Sequence, residues 1–140
     1  MGKSNIIRLL YSIMYICTSI INLIIALTSY EMIFSLADTA LIPLLGEIIR
    51  SVPEYMYFIG LLLFMVSQII FAILLLSKGV FVKLGLLGAI VFHISIIPFG
   101  WFNFLNIFIA IPLIILLRKD FTKTIPDLIF SKKIETNTDI

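Results

Sequence analysis

An all-α, four-transmembrane-helix bundle with a short interfacial helix in its first external loop is the fold this sequence predicts. Three observations predict it. First, the 140 residues are 61% hydrophobic and only 13% charged, with a mean hydropathy of +1.20, too little polar surface to keep a soluble domain of this size dispersed. Second, the apolar residues fall into four runs divided by short charged or turn-forming stretches, the layout of a polytopic membrane protein in one domain. Third, nine of the ten Lys and Arg residues fall in alternate segments between the runs, as a chain threaded back and forth through a bilayer requires.

The first span is expected at about residues 9–29, long enough at ~1.5 Å per residue to cross a ~30 Å hydrocarbon core. It is too long for a signal-peptide core and no Ala-x-Ala site follows it, so an uncleaved helix is expected. Ile6 stands where a myristoylation signal wants Ser or Thr. Thr18, Ser19 and Thr28 can bond back to their own helix, whereas the Asn22 amide needs a partner from elsewhere.

Residues Tyr30 to Glu54 form the longest connection. Asp38-Thr39 offers a helix cap, with Pro43 tolerated in the first turn. Beyond it Leu41, Leu44, Leu45, Ile48 and Val52 share a face, which predicts an amphipathic helix in the interface or over the bundle mouth. Glu47 and Arg50 are spaced to pair. The second span, about 55–76, enters through the interfacial aromatics Tyr55, Tyr57 and Phe58.

The link from Ser77 to Lys83 is short, and Gly79 suits a helix C-terminal cap. The third and fourth spans are expected at about 84–99 and 102–117, both near the short limit for a crossing. Between them Pro98, Gly100 and Trp101 make a tight corner: proline ends one helix, glycine permits the turn, and the indole favours the interface. Asn103 is placed to cap the fourth span. Pro112 within it removes a backbone hydrogen bond and frees a carbonyl near Phe108. Gly85 and Ala89 form a small-xxx-small pair with Gly88 beside them, which lets two helices approach closely. The tail, 118–140, opens with Arg118 and Lys119. Pro126 can start a short helix presenting Leu128, Ile129 and Phe130, with Lys132 and Lys133 after it to meet an anionic leaflet.

The N-terminus, the Ser77–Lys83 link and the tail share one side of a four-span chain. They hold Lys and Arg residues throughout, while the other side has Arg50 with Glu31, Asp38, Glu47 and Glu54. The positive-inside rule then places both termini in the cytoplasm, with the protein in the cell membrane.

Counting ~1.5 Å per residue from the cytoplasmic helix ends puts Gln68 at about 12 Å, His93 at about 13 Å, and Asn106 and Ser19 at about 16 Å, with Asn22 at about 21 Å. Four helices thus each bring a polar group to a middle layer, and intramembrane polar groups face a bundle interior. If all face inward they form one hydrogen-bonded cluster. His93, the single histidine, has three roles open to it. It can be a neutral imidazole bonded to neighbours such as Gln68 or Asn106. It can be a proton-linked group in a transport or quinone site. It can be a haem ligand with a Met or an open sixth position, since no second His exists.

Other chemistry is narrowed by composition. One cysteine, Cys17, excludes an intrachain disulfide, a Cys-x-x-Cys redox pair and a thiolate-rich metal site. One His and one Cys leave no protein zinc site. No nucleophile–base pair, phosphate-cradling Gly loop or paired intramembrane carboxylate occurs, so no catalytic residue is assigned. The expected partners are the lipid bilayer and a membrane protein or second copy of the chain, not nucleic acid. No cofactor is expected outside the haem and quinone readings of His93.

The stretch KLGLLGAIVFHISIIPFGWFN, through Gly85, Gly88, Pro98, Gly100 and Trp101, resembles small four-helix integral membrane proteins. The long first external connection and tight last one are similar to the DoxX-like layout. That resemblance implies membership of respiratory or quinone-linked membrane complexes and transfers no catalytic residue. The functional expectation is an accessory or interaction protein, the alternatives being a small-molecule or proton-linked transporter and a quinone- or haem-linked redox subunit.

Overall fold

The computed structural model describes residues 2–130; the rest of the tail, with Lys132 and Lys133, lies outside the described residues. No strand occurs among the described residues. Helix α1 spans Lys3–Thr28, α2 Leu36–Thr39, α3 Pro43–Ser51, α4 Tyr55–Leu76, α5 Val80–Ser95 and α6 Leu105–Leu117. Short 3-10 turns at Tyr30–Ser35, Ile97–Phe99 and Trp101–Phe104 fill the joints, and residues 125–130 are helical again. Three runs, Lys3–Thr28, Tyr55–Leu76 and Val80–Phe99, are long and apolar enough to cross a membrane, and Trp101–Leu117 is a shorter apolar helix.

Helix α1 packs along α4, α4 against α5, and α5 against α6. Tyr11 brings α1 to α6 by donating its hydroxyl to the Ile109 carbonyl at 2.8 Å, in the turn that Pro112 interrupts. The main core joins Tyr15, Ala72, Leu75, Leu86, Ala89, Leu113 and Leu116 to Phe121 of the tail. Leucine and isoleucine side chains cover the outside, from Leu10, Ile13 and Ile20 on α1 to Ile111 and Ile115 on α6. An apolar exterior around a mixed interior is the arrangement a bilayer stabilises.

Several boundaries differ from expectation, each for an identifiable reason. Helix α1 begins at Lys3 instead of near Leu9, because the Arg8 guanidinium turns inward and its charge does not interrupt the helix. Gly79 is not a C-terminal cap of α4. It precedes α5 with φ +59°, a conformation glycine adopts without a Cβ penalty, so the link shortens to three residues. Asn103 does not cap α6, because the corner is drawn into 3-10 turns and Asn103 lies inside one, leaving Phe104 at the cap position without a side-chain bond.

The long first connection is a docked cap. Its α2–α3 turn sits on the corner, with the Leu41 N–H donating to the Pro98 carbonyl at 2.9 Å and Gly100 buried beneath Thr39. Ala37, Ile49 and Tyr57 form a second apolar cluster with Phe99 packed against it, and Tyr57 donates its hydroxyl to the Ile49 carbonyl. The face of α3 that docks is not the leucine face. Gly46 and Ile49 are buried while Leu41, Leu44 and Ile48 are exposed. A Cβ on Gly46 would lie 2.7 Å from the Ala37 carbonyl oxygen, so the glycine allows α3 to sit flush on α2. Arg50 pairs with Asp38 at 2.6 Å in place of Glu47, which takes the Asp38 carboxylate out of any capping role. Beside this cap the Glu54 carboxylate, ahead of Glu31, pushes the Tyr30 phenol above its ordinary pKa.

Candidate functional site

The polar residues of the bundle interior are organised by α1. Its buried positions are Arg8, Ser12, Tyr15, Ser19 and Ala26, with half-buried Asn22 completing a spacing of four, three, four, three and four. That is the seam spacing of a helix packed along its length, here filled with polar and small residues instead of leucine. Each longer member of the stripe meets a different neighbour.

At the middle, Tyr15 faces His93. The Tyr15 hydroxyl lies 2.9 Å from His93 Nε2, and His93 Nδ1 lies 2.7 Å from Asn106 Oδ1. Asn106 Nδ2 donates to the Asn103 carbonyl at 3.0 Å. These contacts have one consistent direction. The Asn103 carbonyl can only accept, which fixes the Asn106 amide with its NH₂ toward Asn103 and its oxygen toward the imidazole. Amide oxygen also only accepts, so Nδ1 carries the proton and the neutral ring accepts at Nε2 from the Tyr15 hydroxyl. The chain therefore runs Tyr15 to His93 to Asn106 to the Asn103 backbone, linking α1, α5, α6 and the corner.

An aromatic wall holds this chain in place. Phe71 stands edge-on to Tyr15 at 5.7 Å and Phe92 edge-on to His93 at 5.5 Å, and those two phenylalanines meet at 5.9 Å. Gly88 makes room for Phe71, since a Cβ there would lie 2.8 Å from the ring edge. Gly85 meets α4 more tightly, with its Cβ position 2.7 Å from Leu74 Cβ, and Ala89 is fully buried in the core between helices. The small residues therefore face α4 within the same chain.

The other members of the expected layer separate from His93. Gln68 accepts from Asn22 Nδ2 at 2.9 Å, so it binds α1 and not the imidazole. Ser19 donates to the Ile16 carbonyl of its own helix at 2.7 Å. The single cluster expected from depth is thus two links between helices, Tyr15–His93–Asn106 and Asn22–Gln68, because depth does not specify which way a side chain faces. Pro98 and Trp101 stay at the corner, where the indole is 68% exposed.

Tyr15 and Arg8 are the residues that depth counting missed. Arg8 has no exposed surface. Its Nε donates to the Leu75 carbonyl at 2.9 Å, one terminal nitrogen to Asn5 Oδ1 at 2.8 Å and the other to the Ser77 carbonyl. The guanidinium carbon stands 4.4 Å from the Phe121 ring centroid. It binds the carbonyl end of α4, which lacks intrahelical partners and carries the negative end of the helix dipole. The four-and-three stripe on α1 was the signal available for both.

Among the described residues, every buried side-chain nitrogen and oxygen has a hydrogen-bond partner, and no group of three His, Cys, Asp or Glu side chains converges as a metal site would require. Comparison with family models, with curated proteins and with solved structures finds no match to this chain.

Proposed function

We propose that this chain is a non-catalytic accessory protein of the cytoplasmic membrane, a four-span bundle that acts by contact with another membrane protein. The observation that carries this reading is the closed state of its most reactive-looking group. Both ring nitrogens of His93 are engaged by protein partners, so iron or a quinone oxygen could reach the imidazole only by displacing Tyr15 or Asn106, and a proton on Nε2 would require the Tyr15 hydroxyl to turn from donor to acceptor. A half-satisfied buried network is costly, whereas a complete one fixes a unique packing. The layer thus reads as a positioning device for four helices.

The fourth crossing is supported by length. Thirteen residues of α6 at ~1.5 Å each and four 3-10 residues at ~2.0 Å each bring Trp101–Leu117 to about 28 Å, close to a hydrocarbon core of ~30 Å. Nine of the ten Lys and Arg residues then lie on the side of the termini, which favours that side as cytoplasmic. The exposed leucine face of α3 and the exposed Trp101 both belong to the outer interface in this arrangement. The DoxX-like layout fits the same topology, and the closed imidazole speaks against carrying its redox association over to this chain.

Two measurements test the reading. Reporters fused after the tail and within the Tyr30–Glu54 cap are expected to behave as cytoplasmic and external respectively; an external tail overturns the topology. Full-length protein purified in mild detergent is expected to bring down a stable, stoichiometric membrane partner. Stoichiometric haem or quinone in that preparation, or proton-coupled flux lost in His93→Ala, overturns the accessory role.

A further inference from the structure

The basic end of the bundle holds a groove that the buried layer does not use. It has a volume of about 820 Å³, and its lining includes Lys78, Lys83 and Asp120 together with the apolar Val80, Phe81 and Phe121. Its floor is built by the tail: the Gly79 N–H donates to the Phe121 carbonyl at 2.7 Å, while Phe121 and Ile125 are buried. Arg118, Lys119 and Lys123 flank the lining residues Asp120–Thr122 along the chain and add positive charge to this segment. The carboxylates facing it are Asp120, which pairs with Lys83 at 3.1 Å, and Asp127, which feels the charges of Lys78 and Lys123. Basic residues outnumber acidic ones, and Lys78 has no ion pair among the described residues.

The apolar wall is as informative as the charge. Val80 and Phe81 are 70% and 60% exposed, at the first turn of α5, where a membrane helix leaves the hydrocarbon for the headgroup region. A soluble anion would need the lysines alone. A phospholipid needs both features side by side, a cationic seat for phosphate and an uncovered apolar surface for the acyl chains. We propose that this groove is a binding site for one anionic phospholipid, its phosphate between Lys78 and Lys83 and its acyl chains along Val80 and Phe81. The site needs only that the bundle sits in a bilayer, and it stands or falls independently of the accessory role.

Native mass spectrometry of the full-length protein tests it, with dioleoylphosphatidylglycerol as the anionic probe and dioleoylphosphatidylcholine as the zwitterionic one. The wild type is expected to retain one phosphatidylglycerol under conditions that strip phosphatidylcholine. Lys78→Gln and Lys83→Gln are each expected to weaken phosphatidylglycerol about fivefold. Asp120→Asn is expected to strengthen it, by freeing Lys83 and removing a like charge; the exposed pair it breaks contributes little to folding, so this variant reads binding without unfolding. Equal retention of the two lipids, or unchanged affinity in both lysine variants, overturns the site. Retention of inorganic phosphate by a protein that holds phosphatidylglycerol no better than phosphatidylcholine assigns the groove to a free anion and overturns the lipid reading.

Discussion

Replacing Arg8 with methionine removes the charge but keeps much of the apolar stem, and its effect follows from what the guanidinium satisfies. The carbonyls of Leu75 and Ser77 lie at the end of α4 and each accepts from Arg8. Hydrogen bonds to a charged group contribute about 1.5–3 kcal/mol each, and a buried acceptor left unpaired costs ~1–3 kcal/mol. The contact with Phe121 adds about 0.5–2 kcal/mol. Against these stands relief of the desolvation cost of an arginine with no exposed surface, a cost that can make apolar replacements of buried ions neutral. The carbonyls decide the outcome, because methionine supplies no donor and the Ser77 N–H and hydroxyl are already given to Leu74 and Ile73. A net loss of about 3 kcal/mol is expected. Arg8→Lys should recover roughly half, since one ammonium cannot span both carbonyls and Asn5. The assay is unfolding in increasing dodecyl sulfate, followed by helical circular dichroism, alongside trypsin cleavage at Lys119 and Lys123, which should accelerate as the tail detaches. Arg8→Met within ~0.5 kcal/mol of wild type, with unchanged cleavage, would refute the reasoning by showing that water or lipid headgroups reach those carbonyls.

His93→Leu leaves the buried Tyr15 hydroxyl and the half-buried Asn106 Oδ1 without their partner and should cost about 2–4 kcal/mol in the same assay, part of which Tyr15→Phe should restore in the double variant. Gly85→Ala places a Cβ 2.7 Å from Leu74 Cβ and 3.4 Å from the Leu74 carbonyl carbon and should cost about 1–3 kcal/mol; Gly88→Ala meets only the Phe71 ring edge and should cost less. Asp127 forms a reciprocal cap with Thr124. Hydrogen bonding from Thr124 is the first cause holding its carboxyl below the ordinary value, ahead of the charges of Lys78 and Lys123. A depressed carboxyl stabilises the folded state fully above its unfolded value near ~4 and loses that contribution as pH falls through the folded value. Amide exchange over 125–130 should therefore speed up on acidification, and Thr124→Ala should weaken the pH dependence, leaving the part owed to the Thr124 backbone N–H and the two lysines.

Much of the architecture is legible in the sequence because hydropathy and proline–glycine punctuation act locally. The run Tyr55–Leu76 is helical over the residues its apolar length marks, and the corner falls at Pro98–Gly100. What local patterns do not carry is facing. Glu47 and Arg50 have pairing distance along a helix, yet the docking of α2 on α3 offers Asp38 instead. Gln68 and His93 share a depth, yet α4 turns Gln68 toward Asn22. The leucine side of α3 predicts a helix in the interface or over the bundle mouth without saying which face docks, and it is the small face at Gly46 that does. Arg8 stands just before the expected first span, where a cation ordinarily stays in water, yet its side chain is fully buried. Its place in the four-and-three stripe of Ser12, Tyr15, Ser19 and Asn22 is the pattern that marks it as interior.

The closed hydrogen-bond chain is the centre of this account, and the single histidine allows it to be examined directly. Histidine-selective ¹⁵N labelling gives one imidazole to observe by nuclear magnetic resonance in bilayers at pH 8. The chain requires a protonated Nδ1 and an unprotonated Nε2 that accepts from Tyr15, so the Nε2 resonance should shift in Tyr15→Phe while Nδ1 stays protonated. A proton on Nε2 in the wild type, or an Nε2 resonance indifferent to Tyr15→Phe, would contradict it.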